Sequence, residues 1–323
     1  MKRGLAVALC IAAAVINAGA VAQTQITRPI RLIVPYVPGG GTDTLSRLLG
    51  PFISEEFGQQ VVIDNRAGGS STIGTLIIAR AAPDGHTIGM IDAAFVVNPS
   101  LLGKLPYDTL KDFTPVVLVA TAPLVLVVHP GVAARSVREL VALAKSQPGK
   151  LSFGSAGNGT AVHLAGEQLR AVGGVDIQHI PYKGAGQSLT ELLGAQITMV
   201  FATQSGIKAH VVSGRLRALA ITSLKRTQAM PDVMTFIEAG YAAIDAVTIN
   251  GILAPAGTPK DYVQRVNKVV NAALKKPEMQ TKLVDLGFEV AGGTSDEFSK
   301  WISTEIVKWA KVVKDSGAKA EGL

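Results

Sequence analysis

The fold is decided by the sequence IRLIVPYVPGGGTD, residues 30–43, together with the run that follows it. Residues 30–37 are mostly apolar and predict a strand, whereas residues 45–57 place apolar side chains at helical spacing. The glycines at 39–41 therefore form a tight turn at a helix start. The first N–H groups of a helix lack intrahelical partners and lie at the positive end of its dipole. Such a turn accepts an anion without a lysine or arginine, although a plain structural turn explains the same residues.

The same pattern recurs further along the chain. Residues 151–153 predict a strand, residues 154–159 a second glycine turn, and residues 160–172 a helix. Strands and helices alternate almost throughout, which predicts an α/β fold with parallel strands covered by helices. Ligands of open α/β sheets bind beyond the carboxyl ends of strands. The two turns are therefore predicted to face one cleft between two lobes.

The N-terminus has the features of a secretory signal peptide. Lys2 and Arg3 precede a short apolar run, and the small residues Ala20 and Ala22 suit cleavage before Gln23. Residues 1–22 are therefore predicted to be removed. Cys10 is the only cysteine and leaves with them, so the mature chain is predicted to form no disulfide.

Charge and aromatic content argue against nucleic acid as a partner. The formal net charge is +7, but the basic residues are scattered rather than clustered on one segment. Aromatic residues make up only 5% of the chain, too few for a base-stacking platform. We interpret the excess charge as a solubility feature with mild attraction for anions.

Motifs of known catalytic and cofactor sites are absent from the sequence. Thr42 and Asp43 follow the first glycine turn where a phosphate-binding loop needs a Lys-Ser/Thr pair. Phe153 stands where a nucleophile elbow around Ser155 needs a glycine. The five histidines form no metal-ligand spacing. The sequence therefore predicts a binding protein without catalytic residues, metal or cofactor.

Several polar residues near the turns are candidates for ligand contact. Ser155 and Thr160 offer hydroxyl groups, and His163 lies one helical turn further on, as a ligand contact, a loop brace or an ordinary polar residue. Asp43 suits the start of the first helix, where it helps to cap it. Asp92 follows the predicted strand 87–91, either pointing towards the cleft or capping the strand end.

An ordered series of motifs resembles the Bug receptors, the periplasmic substrate-binding proteins of tripartite tricarboxylate transporters. The series covers nearly the whole mature chain. Its members are residues 28–43, Asp64-Asn65-Arg66, Pro83-Asp84-Gly85, Asn98-Pro99, residues 105–108, residues 153–157, residues 181–184 and residues 254–259.

The resemblance implies a two-lobe Venus-flytrap fold in which each lobe is a mostly parallel sheet flanked by helices. Lobe 1 would comprise residues 23–121 plus 247–323, and lobe 2 residues 122–246. Family members hold a small organic acid between the two turns, largely through backbone N–H groups. Carried onto this sequence, the contacts on one side are Pro38, Gly39, Gly40, Thr42 and Asp43, and those on the other are Ser155, Ala156, Gly157, Gly159, Thr160 and His163.

Two places depart from the family pattern. Asp92 and Ala93 stand where hydroxyl residues are common, and Ala202 stands where an aspartate is common. An extra carboxylate in the cleft would repel a second ligand carboxylate and could accept from an amine or hydroxyl. All three residues are therefore added to the predicted ligand contacts.

The resemblance predicts a monomeric periplasmic receptor that captures a small carboxylate by hinge closure. It would deliver this ligand to the permease subunits of a tripartite tricarboxylate transporter. Two alternatives remain open from the sequence. One is a sensor of the same fold that signals to a membrane kinase, and the other is a secreted hydrolase.

Overall fold

The computed structural model describes residues 25–182 and 184–316. The predicted signal peptide, residues 1–22, lies outside them. The strands are β1 (Ile30–Val34), β2 (Val61–Asn65), β3 (Thr87–Ile91), β4 (Phe113–Val128), β5 (Ser152–Ser155), β6 (Gln178–Pro181), β7 (Met199–Thr203), β8 (Arg217–Ile221), β9 (Val247–Pro255) and β10 (Glu289–Gly292). The helices are α1 (Gly41–Phe57), α2 (Thr72–Ala79), α3 (Ala94–Leu101), α4 (Val137–Ser146), α5 (Ala161–Gly173), α6 (Ala185–Leu193), α7 (Gln204–Val212), α8 (Lys260–Leu274), α9 (Pro277–Asp285) and α10 (Ser295–Ser316).

The strands form two groups joined by β4. In the first, β2, β1 and β3 pair in parallel, and β9, β4 and β10 complete the sheet in antiparallel pairs. In the second, β7, β5 and β6 pair in parallel, whereas β7 and β8 pair antiparallel with β4. Both groups are therefore mixed rather than mostly parallel, because β4 belongs to both and pairs antiparallel with its neighbours in each.

The chain crosses between the two groups at the middle of β4 and at the start of β9. Pro123 is the last residue of β4 paired with β9, opposite Val247, and Leu124 is the first paired with β7. These positions adjoin the predicted lobe boundaries after residues 121 and 246. The exact limits of the lobes stay a prediction.

Apolar faces of the helices cover the sheets as the helical spacing predicts. Leu45 and Leu49 of α1 are fully or almost fully buried in one cluster with Tyr262 and Val266 of α8. Trp309 of α10 belongs to another cluster, which extends from the first group of strands into the second. Among the described residues, no helix combines the length and apolar character needed to cross a membrane.

Candidate functional site

The first glycine turn presents its backbone to open space. Gly39 has a φ of +90°, and its N–H donates to Asp43 Oδ2 at 2.9 Å. A Cβ built at Gly39 or Gly40 would meet no atom within 4 Å, so these positions are open to a ligand. Gly41 differs, because its Cβ would lie 2.8 Å from the Phe288 ring. Packing therefore requires a glycine at 41, whereas Gly40, at φ −76°, accepts a side chain without strain.

Asp43 braces this turn. Its buried carboxylate accepts from Arg47 Nε at 2.9 Å, from Asn65 Nδ2 at 3.0 Å and from the Gly39 N–H. The hydrogen bond with Arg47 is the main cause of a lowered pKa for Asp43. The sequence predicts Asp43 as a ligand contact; in the structure its carboxylate is committed to the turn. Thr42 beside it is also buried, whereas Pro38 is exposed.

Tyr36 and Asp92 form a hydrogen-bonded pair at the carboxyl ends of β1 and β3. Tyr36 Oη donates to Asp92 Oδ1, and the backbone N–H of Ala94 donates to the same oxygen at 2.9 Å. Burial raises the pKa of Asp92, and burial followed by the charge of Asp92 raises the pKa of Tyr36. Asp92 thus does serve as a cap at the strand end, one of its two predicted roles. Tyr36 was not predicted as a site residue, because its contact with Asp92 depends on β1 and β3 being neighbours in the sheet.

Residues 68–71 form a strained loop beside this pair. Gly68, Gly69, Ser70 and Ser71 all have positive φ, between 51° and 123°. For the two serines this conformation is costly and is maintained by surrounding contacts. Asn98 Nδ2 provides one of them, donating to the Ser70 carbonyl at 2.8 Å. The loop lies next to the Tyr36–Asp92 pair, since the Ser71 side chain also forms a hydrogen bond with Tyr36.

The second glycine turn is organised around Ser155. Its side chain is completely buried, and Oγ lies 2.7 Å from His179 Nε2 and 3.1 Å from the Gly157 N–H that donates to it. Thr160 Oγ1 donates to the Gly157 carbonyl at 2.7 Å and caps α5 by accepting from the His163 N–H. Both predicted hydroxyls therefore bind the turn itself.

His163 also braces the second glycine turn. Its Nδ1 accepts from the Gly159 N–H at 3.2 Å, and its ring stacks on His179 with centroids 4.1 Å apart. On the other side, His163 Nε2 lies 3.7 Å from the buried carboxylate of Glu167. His163 thus acts as the loop brace, one of its predicted roles.

His179 was not among the predicted residues. It lies on β6 opposite Phe153 of β5, so parallel pairing places it next to Ser155. Burial is the main cause that lowers the pKa of His179 to about 3, with smaller effects of His163 and Arg170. Its imidazole is therefore neutral near pH 7.

Helix α3 connects the two halves of the site. It begins two residues after Asp92, and its far end lies against the second turn: a Cβ at Gly159 would be 2.7 Å from Leu101 Cδ2 and 3.6 Å from Asn98 Oδ1. Ala93 is buried beside Asp92. Ala156 and Ala202 are partly exposed, Ala202 on β7 beside β4. The predicted ligand contacts therefore lie in two regions, which α3 connects.

The chemistry available at the site is mainly that of backbone donors. Within residues 25–182 and 184–316, no group of three or more His, Cys, Asp or Glu side chains is arranged to hold a metal ion. Ser155 and His179 are close enough for a nucleophile and base, but Ser155 has no exposed surface. The N-terminus of α1, which no side chain caps, and the carboxylate of Asp92 are the groups that this region could offer a ligand.

Comparisons with known proteins agree with this architecture. The chain is 37% identical over 322 residues to Protein BugT of Bordetella pertussis, covering 99% of each chain. The solved structure of the periplasmic binding protein BugD is 33% identical, with a TM-score of 0.79 over 91% of this chain and 99% of that one. The structure of R. palustris Rpa4515 with adipate is 32% identical, with a TM-score of 0.81 over 90% of this chain and 98% of that one.

The family model described as "Tripartite tricarboxylate transporter family receptor" matches residues 45–318. That range includes most of α1, all the strands from β2 to β10 and the whole of α10. This match agrees with the two-lobe α/β fold and with the paired glycine turns. The chain belongs to the receptor family of the tripartite tricarboxylate transporters.

Proposed function

We propose that this protein is a periplasmic receptor that binds a small organic carboxylate between its two glycine turns and delivers it to the permease subunits of a tripartite tricarboxylate transporter. The observation that carries the proposal is the open backbone at Gly39 and Gly40, directly before a helix that no side chain caps. Partial positive charge at such a helix start favours one carboxylate group. The adipate bound by the related R. palustris protein supports this ligand class.

Binding would be coupled to closure of the two lobes. In the part of the chain that the structure describes, the strands pass from one group to the other at β4 and at the entry into β9, which is the connectivity of a hinge. A ligand that contacts both turns stabilises the closed arrangement over the open one and so shifts the population towards it. The permease would then recognise the closed, loaded form.

Location and assembly follow from the same proposal. Residues 1–22 would direct secretion to the periplasm and be removed, and the related BugD is itself a periplasmic binding protein. We propose that the mature protein is a monomer, since each chain carries both turns. Size-exclusion chromatography with light scattering measures this directly, and a stable dimer would contradict it.

The test of carboxylate binding uses Gly40→Val. This change fills the open space before α1 at a position where a side chain is unstrained. In isothermal titration calorimetry with a panel of mono- and dicarboxylates, wild type is expected to bind at least one acid. The variant is expected to bind it at least about a hundredfold more weakly, since the backbone contact is lost. Its melting temperature without ligand should stay near that of wild type.

The matched control is Gly186→Val. Gly186 is an exposed glycine on α6 that also has open space at its Cβ. The Gly186→Val variant should bind the acids as tightly as wild type does. If wild type binds no acid of the panel, or if Gly40→Val binds as tightly as the control, the proposed site is wrong.

A secreted hydrolase is the second candidate, favoured by the 2.7 Å contact between Ser155 and His179. Binding without catalysis is supported better, because the Ser155 side chain is completely buried and also accepts from the Gly157 N–H. Hydrolysis of carboxylate esters by purified protein, lost in Ser155→Ala, would support the hydrolase. The expected result is no turnover by either protein.

A further inference from the structure

Among residues 25–182 and 184–316, Asp92 has no cationic partner, and it differs in this from three other aspartates. Asp43 on α1, Asp64 on β2 and Asp84 just before β3 are each held by arginine. The pairs are Asp43 with Arg47, Asp64 with Arg31 and Arg66, and Asp84 with Arg28. The groups that act on Asp92 are neutral: the Tyr36 hydroxyl and backbone N–H groups.

The hydrogen bonds of Asp92 leave part of its carboxylate available. Tyr36 and Ala94 both donate to Oδ1. A carboxylate has roughly four acceptor sites, so Oδ2 keeps acceptor capacity. The hydrogen bonds from Tyr36 and Ala94 therefore account for Oδ1 and leave Oδ2 available to another donor.

The position of Asp92 makes the missing cation significant. Burying part of a carboxylate without a positive partner is costly, and the raised pKa of Asp92 reflects this desolvation. Uncompensated groups of this kind concentrate at functional sites. A ligand ammonium group would supply the missing positive charge, whereas a ligand carboxylate at the same place would be repelled.

Asp92 is held in a fixed relation to the first glycine turn. Tyr36, its hydrogen-bond partner, has its carbonyl bound by Asn65 Nδ2 at 3.0 Å. The same Asn65 nitrogen donates to Asp43, which in turn binds the Gly39 N–H. One chain of hydrogen bonds thus connects the acidic group to the anion-accepting turn.

We propose that Asp92 forms an ammonium-binding subsite, so that the ligand of this protein is an amino acid or a similar zwitterion. Its carboxylate would lie at the Gly39–Gly41 turn and its amino group against Asp92 Oδ2. The inference rests on the proposed carboxylate-binding function and narrows its ligand class.

The experiment compares pairs of acids that differ only in an amino group on the alpha carbon. The pairs are propionate with L-alanine, succinate with L-aspartate, and glutarate with L-glutamate. Titration calorimetry of wild type is expected to show, for the pair that fits the cleft, at least about tenfold tighter binding of the amino member, because a charge-assisted hydrogen bond is gained.

Asp92→Asn is expected to abolish this preference. The asparagine keeps an acceptor for Tyr36 and Ala94, but it removes the charge and replaces the second acceptor oxygen by an NH2 donor. Asp92→Ser, which keeps a hydroxyl acceptor, is the second variant in case the first does not fold. Asp232→Asn removes an exposed carboxylate elsewhere and should retain the preference of wild type.

The outcomes separate this inference from the function on which it rests. Binding of acids by wild type without preference for the amino members overturns the subsite alone. So does a preference that persists in Asp92→Asn and Asp92→Ser. If wild type binds no acid of either panel, the carboxylate function fails together with the subsite.

Discussion

Polar side chains around the glycine turns mostly satisfy the turns themselves. Asp43 binds the Gly39 N–H, and His163 binds the Gly159 N–H. Ser155 and Thr160 form hydrogen bonds with Gly157. Buried polar groups need such partners, and once paired they hold the turn in one conformation. Under the proposed function, specificity would come from groups with spare hydrogen-bonding capacity, such as Asp92.

At the same scale, His179 makes the stability of the second turn depend on pH. Its pKa is lowered to about 3 in the folded protein, mainly by burial, whereas a histidine in an unfolded chain has a pKa of about 6.5. Between these values the unfolded state binds more protons. The contribution of His179 is therefore complete above about pH 6.5 and decreases as the pH falls towards 3, by at most about 1.4 kcal/mol per pH unit.

The measurement is urea denaturation of wild type and His179→Phe between about pH 7 and pH 4. The phenylalanine keeps a ring between Phe153 and His163 but cannot titrate. Wild type should lose stability with falling pH more steeply than this variant. His210→Phe, on α7, should follow wild type. Parallel curves for wild type and His179→Phe would contradict the assigned cause.

At the scale of secondary-structure elements, α10 holds the two groups of strands together. It packs against α3 on one side and α5 on the other. Lys308 Nζ lies 2.8 Å from Asp245 Oδ2, just before β9. Trp309 is 2% exposed and is one of the largest fully buried side chains among the described residues.

Trp309→Ala is expected to reduce the free energy of unfolding by about 3–5 kcal/mol, because it removes a large buried ring and leaves a cavity. Trp301→Ala on the same helix is the matched control. Since Trp301 is only partly buried, the loss should be clearly smaller. Chemical denaturation followed by circular dichroism measures both. Equal losses would show that α10 is not anchored through Trp309.

Most elements follow from local sequence pattern, and the exceptions have identifiable causes. The predicted strand 87–91 and the predicted helix 160–172 agree with β3 and α5 to within about one residue at each end. Helix α3 was not predicted, because Pro99 lies inside it and prolines normally end helices. The mixed sheets and the Tyr36–Asp92 and Ser155–His179 contacts depend on strand order, which periodicity does not encode.

At the scale of the whole molecule, α3 connects the two turns structurally, since it begins just after Asp92 and its far end lies against Gly159. Gly159 has a φ of +79°, and its missing side chain allows Leu101 of α3 to approach. The other end of α3 follows Asp92. Movement of the second turn relative to α3 would therefore change the cleft from both sides, which is the coupling that hinge closure requires.

Gly159→Ala should hold the lobes further apart. Its Cβ would lie 2.7 Å from Leu101 Cδ2, too close for any real contact, and the left-handed backbone adds about 1–2 kcal/mol of strain. Ligand affinity should fall by at least about tenfold. Small-angle scattering should show a larger radius of gyration with saturating ligand than wild type has. The double variant with Leu101→Ala removes the clash but keeps the strain, so it should recover much of the affinity and the compact scattering profile. If the double variant remains as weak and as extended as the single one, backbone strain within the turn, and not contact between the lobes, controls binding.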